Sequence, residues 1–575
     1  MTPAAPLITR KEWNRVAGFA LFVVALTTLP YLLAWSQQTP DRIFAGALFG
    51  AEDANSYLAK MRIGWRGEWA FSLFYTPEPT TPEYGVFLPY IAAGQIVRLF
   101  VTDPAQTPAA LLIAYQVMRI TFDAVLILAL YRFIAHFTAH ERVRYNALAL
   151  ACLGGGLGWI TAVFPITTAA MPDLTIPEGF TFLILYGLPH LALARAALLT
   201  GLAALIVADD ARLSPSDGSS LRRGVMAGVL FNIVGLCVPF YMAVIYAVLG
   251  FWGLAAWAAH RRFPWALFVR AVLAAALTLP LLIYTALIFT RNPAFAQWSA
   301  QNLLFSPPPW EYALAYAPLA MCAALAVRHF WRSAQSHIAH ALLIGWLAGA
   351  PILVYLPINV QRRLAEGVIV PLAILAAWGI RQWIWRDQAG TASPPVRKGN
   401  TVRTLFVLMF LCATTVLWIS TGALAGLVKA DPTYRDGAEL RAFAWMQANT
   451  WSKTNVLAAW ATGNAIPVYT DLRPFVGLGP ETLLAEAKEA QTIAYFRDML
   501  TPAERAALYE SPCTAAWITS GSAVELEPCR ITYVFWGRHE RALWGDTPIP
   551  DVLNWQNDLT PIYQDGGVTV YEVNR

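Results

Sequence analysis

Apolar runs close to the twenty residues that a membrane-spanning helix needs recur along most of this chain. Eleven segments fit: 15–35, 109–135, 145–165, 181–207, 224–239, 241–259, 267–290, 309–328, 338–357, 366–385 and 403–428. The pair meeting at Pro239 is the least regular of them. Segment 85–101 is apolar but short and contains Arg98, so it reads as a helix lying at the interface. Beyond residue 430 the pattern changes. "AELRAFAWMQANT" has helical periodicity, "NVLAAW", "AAWITS" and "ITYVFWG" read as buried strands, and "PETLLAEAKEAQTIAYFRDML" reads as an acidic helical stretch. "YQDGGVTVYEV" places a D-G turn between two short strands. The expectation is a polytopic α-helical membrane protein of about 11 transmembrane helices, residues 1–429, with an outer loop at 36–108. A small soluble α/β domain follows at 430–575.

Composition agrees with this pattern. Of 575 residues, 57% are hydrophobic and 13% charged, about half the charge of a soluble domain. The 23 Trp and 22 Tyr suit a chain with many interfacial belts. A net charge of +5 is mild and points away from nucleic acid. Arg10, Lys11 and Arg15 precede the first apolar run, and no small-residue cleavage site follows it. The run therefore reads as a retained first helix.

The basic residues of the short loops suggest an orientation. With the N-terminus inside, the inner loops hold Arg142 and Arg144, Arg222 and Arg223, Arg261 and Arg262, Arg328 and Arg332, and Arg397 and Lys398. Residues 50–69, the stretch "NVQRRLAEG" and the tail then lie outside. If 85–101 spanned, every later loop would flip and the pattern would fail. Cys152, Cys237, Cys322 and Cys412 sit in apolar runs as packing residues. Cys513 and Cys529 flank a strand and the loop after it, where an extracytoplasmic disulfide would add about 3 kcal/mol. The alternative is two unpaired small residues at strand ends.

The candidate chemistry begins at "GAEDANSYLAKMRIGWRGEW", residues 50–69. Glu52 and Asp53 stand where the chain has just left its first span. From Tyr57 the spacing gives a short amphipathic helix, with Leu58, Met61 and Trp65 on one face and Lys60 and Arg62 off it. Such a helix on the membrane surface would hold the acids near the headgroups. A carboxylate there serves as general base toward an acceptor hydroxyl or amine, or helps hold a divalent cation; ordinary solvated loop charge is the other reading.

This stretch resembles the first outer loop of the GT-C membrane glycosyltransferases, which reads roughly D-E-x-x-Y-x-x-x-A-x-x-x-x-x-G-D-W. Asp53 and Tyr57 match its D and Y, and Gly67-Glu68-Trp69 is similar to its G-D-W. Ala54 occupies the position of its E, and Glu52 precedes instead. The layout, from basic inner start to soluble outer tail, is similar over nearly the whole chain. The resemblance implies transfer of a sugar from a polyprenyl-phosphate carrier to a lipid, glycan or protein acceptor at the outer face of the plasma membrane, inverting the anomeric centre. It implies Asp53 as base with Glu52 assisting, and Asn55 and Tyr57 beside the substrate.

Further candidates carry two readings each. Asp173 and Glu178 in "MPDLTIPEGF" either organise acceptor or metal, as the resemblance implies, or brace a loop between prolines. Arg362 and Arg363 in "NVQRRLAEG" either anchor an interface or clamp the carrier phosphate, for which the guanidinium fork is suited. Arg119 and Asp123, four apart, are placed to pair. His190 and Arg195 either line a lipid cavity or serve structure. Arg291, Trp298 and Asn302 belong to a loop that covers a groove or simply connects. "GGGLG" at 154–158 lacks the Lys-Ser/Thr of a phosphate loop, and small residues there let helices approach. A non-catalytic transporter or flippase of lipid-linked glycans is the alternative function. Such proteins often carry internal repeats, and the chain contains none.

Overall fold

The computed structural model describes residues 8–164, 171–207, 218–385, 398–510 and 529–574. They group into two compact units. One holds residues up to Leu32 with Val117–Thr285 and Leu304–Leu424; the other holds Leu33–Gln116, Ala286–Leu303 and Ala425 onward.

The first unit is helical. Among the described residues of the chain, eight helices are long and apolar enough to cross a membrane. A ninth span is possible if Gly399–Leu411 and Ala413–Val428, bent by 56°, are counted as one. Helices Gly218–Cys237 and Tyr241–His260 are separate spans on either side of Pro239. Two of the eleven expected spans come out short: Pro189–Leu205 with 17 residues and Ile338–Leu353 with 16. The first is short because segment 181–207 is not one helix. Helix Thr181–Gly187 stops at Leu188, which has φ −125° and ψ 76°, and a new helix starts on Pro189. Proline disfavours helical backbone at the residue before it and brings no N–H to the ladder. The helix within 361–384 is the most enclosed, with 89% of its apolar window buried.

The second unit joins the first loop to the tail. Strands β1 (Arg42–Phe44), β2 (Ala70–Phe71), β3 (Glu83–Tyr84) and β4 (Tyr434–Asp436) form two small antiparallel pairs, β1 with β4 and β2 with β3. Strands β5 (Asn455–Leu457), β6 (Arg473–Pro474), β7 (Ile531–Trp536), β8 (Leu559–Asp565) and β9 (Val568–Val573) form a mixed sheet in the order β6-β5-β7-β9-β8. Alternation builds a core on each of its faces. Val456, Tyr533 and Phe535 pack with Phe443, Met446 and Ile466; Leu457, Val534 and Trp536 pack with Phe496, Leu508 and Trp555. The β8–β9 hairpin turns on Gly566 and Gly567, at φ 53° and 83°, the left-handed backbone that a tight hairpin turn asks for. "AAWITS" and Cys513 lie outside the described residues; Cys529 is disulfide-bonded. The cysteines of the apolar runs are free thiols.

Segment 85–101 contains helix Leu88–Arg98, 11 residues long and too short to span. It crosses helix Ala51–Trp65 with almost no space between backbones. A Cβ on Gly64 would stand 1.9 Å from the Ile91 carbonyl oxygen, and one on Gly94 would stand 1.8 Å from that of Met61. The loop holding Trp298 is a packed element: helix Pro293–Gln301 buries Phe295 and Trp298 against Phe71, Phe87 and Phe289.

Helix Ala51–Trp65 departs most from expectation. It starts at Ala51 rather than Tyr57, and every residue from Ala54 to Gly64 except Tyr57 is buried. Lys60 and Arg62 are buried with the apolar side chains. The Lys60 Nζ lies 2.6 Å from Glu481 Oε1 and 3.7 Å from the Phe87 ring centroid, and it also bonds Ser56. A second buried lysine, Lys488, contacts Glu78 at 2.6 Å. A buried cation stripped of its partner is a heavy cost, whereas an apolar pair of similar volume is tolerated. Glu481→Gln is therefore expected to destabilise the second unit by about 3–5 kcal/mol. Lys60→Met with Glu481→Leu should recover most of that loss, as thermal unfolding of the purified full chain would register.

Candidate functional site

The acids of the first loop sit in the first turn of helix Ala51–Trp65. Gly50 caps this helix in left-handed backbone, φ 57°. Glu52 and Asp53 are exposed while Ala54, Asn55 and Ser56 behind them are buried. The unpaired amides of a helix start favour negative charge at this place. Behind the acids, Asn55 Nδ2 donates to Asn464 Oδ1 at 2.7 Å, and Asn464 Nδ2 donates to the Glu52 carbonyl at 3.3 Å. The Tyr75 hydroxyl donates to the Asn464 carbonyl at 2.9 Å. Tyr57 stacks on Tyr90 with centroids 4.4 Å apart and planes within 10°. Tyr90 in turn stacks on Tyr115 at 6.2 Å. Asn55 thus holds the turn, and Tyr57 forms one end of a tyrosine stack.

The surroundings of Glu52 come from the tail. Partial enclosure is the main cause that raises its carboxyl above the usual range, and the like charges of Asp53 and Glu489 add to it. The Trp460 indole N–H and the Arg435 guanidinium pull in the opposite direction. Arg435 is buried, with Nη1 3.1 Å from Glu439 Oε1 and Nη2 donating to the Ala461 carbonyl at 3.3 Å. Trp460, Asn464 and Arg435 were not among the candidates, since each stands about 400 residues from the acids and no local pattern marks it.

The helix is anchored at its other end by one carboxylate. Arg62 Nε and Arg66 Nη1 each donate to Asp471 Oδ1 at 3.0 Å, and Gln447 Nε2 donates to Oδ2 at 3.0 Å. Burial alone would raise this carboxyl; Arg62, Arg66 and Gln447 outweigh it and hold the group at about 2.

The first unit holds the other candidates. Arg362 and Arg363 stand on a 3-10 turn, Gln361–Ala365. The Arg363 Nε lies 3.7 Å from Glu178 Oε1, and its guanidinium lies 5.3 Å from the Phe240 ring centroid. Arg362 is partly exposed, and its backbone N–H bonds the Leu304 carbonyl at 3.2 Å. Glu178 is buried, which raises its carboxyl, while Arg363 and then Arg362 pull it back. Asp173 braces a loop: its Oδ2 accepts from Gly156 N at 2.9 Å, Gly158 N at 3.0 Å and Thr414 Oγ1 at 2.8 Å. His190 is buried at the start of helix Pro189–Leu205. Arg195 is committed to structure: Nε and Nη2 grip Glu366 at 2.7 and 2.8 Å, and Nη1 bonds Thr181 Oγ1 at 2.9 Å. Arg119 and Asp123 pair at 3.8 Å, and Arg119 also bonds Thr27 and Thr28.

The structure thus brings Glu52, Asp53, Asn55 and Tyr57 onto one helix, and Glu178, Arg362 and Arg363 into another cluster. Among the described residues, no group of three or more His, Cys, Asp or Glu side chains is placed to hold a metal ion.

No protein-family model matches the chain, and no curated protein matches it in sequence. Solved structures do. The oligosaccharyltransferase of Archaeoglobus fulgidus in its apo form superposes with a TM-score of 0.50 at 15% identity, covering 92% of this chain and 70% of its own. The same archaeal enzyme with an inhibitory peptide and a dolichol-phosphate gives 0.49 at 12% identity, covering 89% and 69%. ArnT from Cupriavidus metallidurans bound to undecaprenyl phosphate gives 0.46 at 12% identity, covering 96% and 98%. The likeness is one of fold, and the chain has the GT-C membrane glycosyltransferase fold.

The Asp471 anchor carries a pH signature. Its carboxyl sits at about 2, below the ordinary 3.8. The stabilisation, about 2 kcal/mol, is complete above pH 4 and is lost as pH falls through 2. Asp471→Asn should lower stability at neutral pH and flatten the fall between pH 4 and 2, as unfolding midpoints measured against pH would show.

Proposed function

We propose that this chain is a glycosyltransferase that moves a sugar from a polyprenyl-phosphate carrier to a lipid, glycan or protein acceptor at the outer face of the plasma membrane. The observation that carries the reading is the Glu52–Asp53 pair, exposed on the first turn of a buried helix with Tyr57 one turn on. The GT-C fold supports it, since the oligosaccharyltransferase that shares the fold is a sugar-transfer enzyme by name.

In this reading Asp53 accepts the proton of the acceptor hydroxyl or amine as that atom attacks the anomeric carbon. The bond from the anomeric carbon to the phosphate oxygen breaks, and the electron pair leaves on the carrier phosphate. One displacement inverts the centre. Glu52, whose carboxyl is raised, assists beside the base. In the first unit Arg362 and Arg363 are the cations proposed for a carrier phosphate, since a guanidinium fork suits phosphate oxygens. The N-terminus is cytoplasmic and residues 430–575 are extracytoplasmic, as the basic loops favour.

A transporter of lipid-linked glycans draws support from the 56° bend at Cys412 and the break at Leu188, because broken helices serve alternating access. Turnover separates the two. Purified full chain is given a panel of polyprenyl-phosphate sugars with envelope extract as acceptor, and release of free polyprenyl phosphate is followed by mass spectrometry. Asp53→Asn is expected to cut the rate by roughly 10²–10⁴. Equal rates in both proteins would remove Asp53 as base, and donor binding without turnover in wild type would leave the transporter.

A further inference from the structure

The second unit encloses a half-open cavity of about 650 Å³ that the proposed chemistry does not use. Trp35, from the last turn of the apolar helix Arg10–Ser36, forms one side. Pro108, Ala109 and Leu112, from the first turns of helix Thr107–Ala135, form another. Both helices are long and apolar enough to span, and the two helices between them, of 15 and 11 residues, are too short to cross. The cavity therefore lies at the depth where two spans end, which is the boundary between hydrocarbon and water. Leu440, Ala444, Ala448 and Tyr469 of the tail complete the wall.

The lining decides what fits. Its polar side chains are Gln38, Asp103 and Gln447, with the Trp35 indole N–H and the Tyr469 hydroxyl on otherwise apolar rings. Asp103 is occupied by its own loop, accepting from Ala105 N at 2.9 Å and Gln106 Nε2 at 3.1 Å. Gln447 is occupied by Asp471 at both ends of its amide, at 3.0 and 2.8 Å. A sugar or peptide would give up water there for walls that are mostly apolar, and each polar group left unpaired is penalised. A hydrocarbon has no such cost, and the walls are mostly aliphatic and aromatic. Among the described residues no lysine or arginine lines the cavity, and Asp103 does, so a phosphate headgroup meets one acid and no counter-charge from them. The volume falls within the usual range for a small-molecule site.

We infer that this cavity takes the hydrocarbon chain of a lipid whose head carries no phosphate. It is thus a lipid site distinct from any that holds a phosphorylated carrier, and it does not depend on the sugar-transfer reading.

The test uses purified full chain in detergent with a photoreactive diazirine-tagged hexadecanol, beside the same chain as its phosphate monoester. Labelled peptides are mapped by mass spectrometry. The expected result is labelling of the peptides containing 104–112 and 440–448 by the alcohol, abolished by excess plain hexadecanol and weaker with the phosphate ester. Ala444→Trp, which fills the cavity, should lower that labelling about tenfold, the loss expected if two methylene groups are displaced. Should that variant not fold, competition on the wild type decides alone. Labelling of these peptides that plain hexadecanol does not compete away, or that persists in a folded Ala444→Trp protein, would overturn the site. Equal labelling by the phosphate ester would overturn the headgroup preference.

Discussion

Two cations inside a helix with almost no exposed face set the terms for the second unit. Lys60 and Arg62 lie on Ala51–Trp65 with side chains at most 1% exposed. Taking a charge from water costs several kcal/mol unless an opposite charge meets it. The opposite charges here are Glu481 and Asp471, more than 400 residues later in the chain. The helix that displays the candidate acids is thus incompatible with its own burial until the tail supplies those carboxylates. Gly64 and Gly94 add a steric condition, since their backbone-to-backbone crossing leaves no room for a Cβ. Together they make the first loop and the tail one body, although the chain runs through most of its apolar helices between them.

The same helix divides its charges by position. Its acids stand at the N-terminal turn, where the helix field favours them and where solvent is available. Its cations stand in the middle and last turns, where the tail neutralises them. The arrangement gives the exposed pair a rigid base: Asn464 bonds both the Asn55 side chain and the Glu52 carbonyl. Such support fixes where the exposed carboxylates stand.

Legibility in the sequence followed the range of the interactions. Short-range patterns read correctly. The alternation of "ITYVFWG" produced a strand with a core on each face, "YQDGGVTVYEV" produced the hairpin, and 85–101 produced a helix too short to cross. The Arg119–Asp123 spacing produced its pair. The break at Pro189 was missed, because the apolar count over 181–207 reads as one span and takes no account of the proline. Lys60 and Arg62 were misplaced because helical spacing describes one face of one element. It cannot register carboxylates from a distant segment that turn a polar face into an interior one. Trp460, Asn464 and Arg435 escaped for the same reason.

Charge pairing also sorts the arginines of the first unit. Arg195 looked as available as any intramembrane cation, yet Glu366 takes its guanidinium in a two-point grip and Thr181 takes a third nitrogen. A cation so saturated would have to surrender a buried pair before holding a ligand, at a cost that ligand binding seldom returns. Glu366 lies in the same short stretch as Arg362 and Arg363, three residues beyond Arg363. The stretch thus spends its acid inward, on Arg195, and holds its two arginines on a turn where both are partly exposed. Arg363 meets Glu178 only at 3.7 Å, longer than a well-formed charged hydrogen bond. Arg362 and Arg363 thus stand on a partly exposed turn, whereas Arg195 is closed by its buried pair with Glu366.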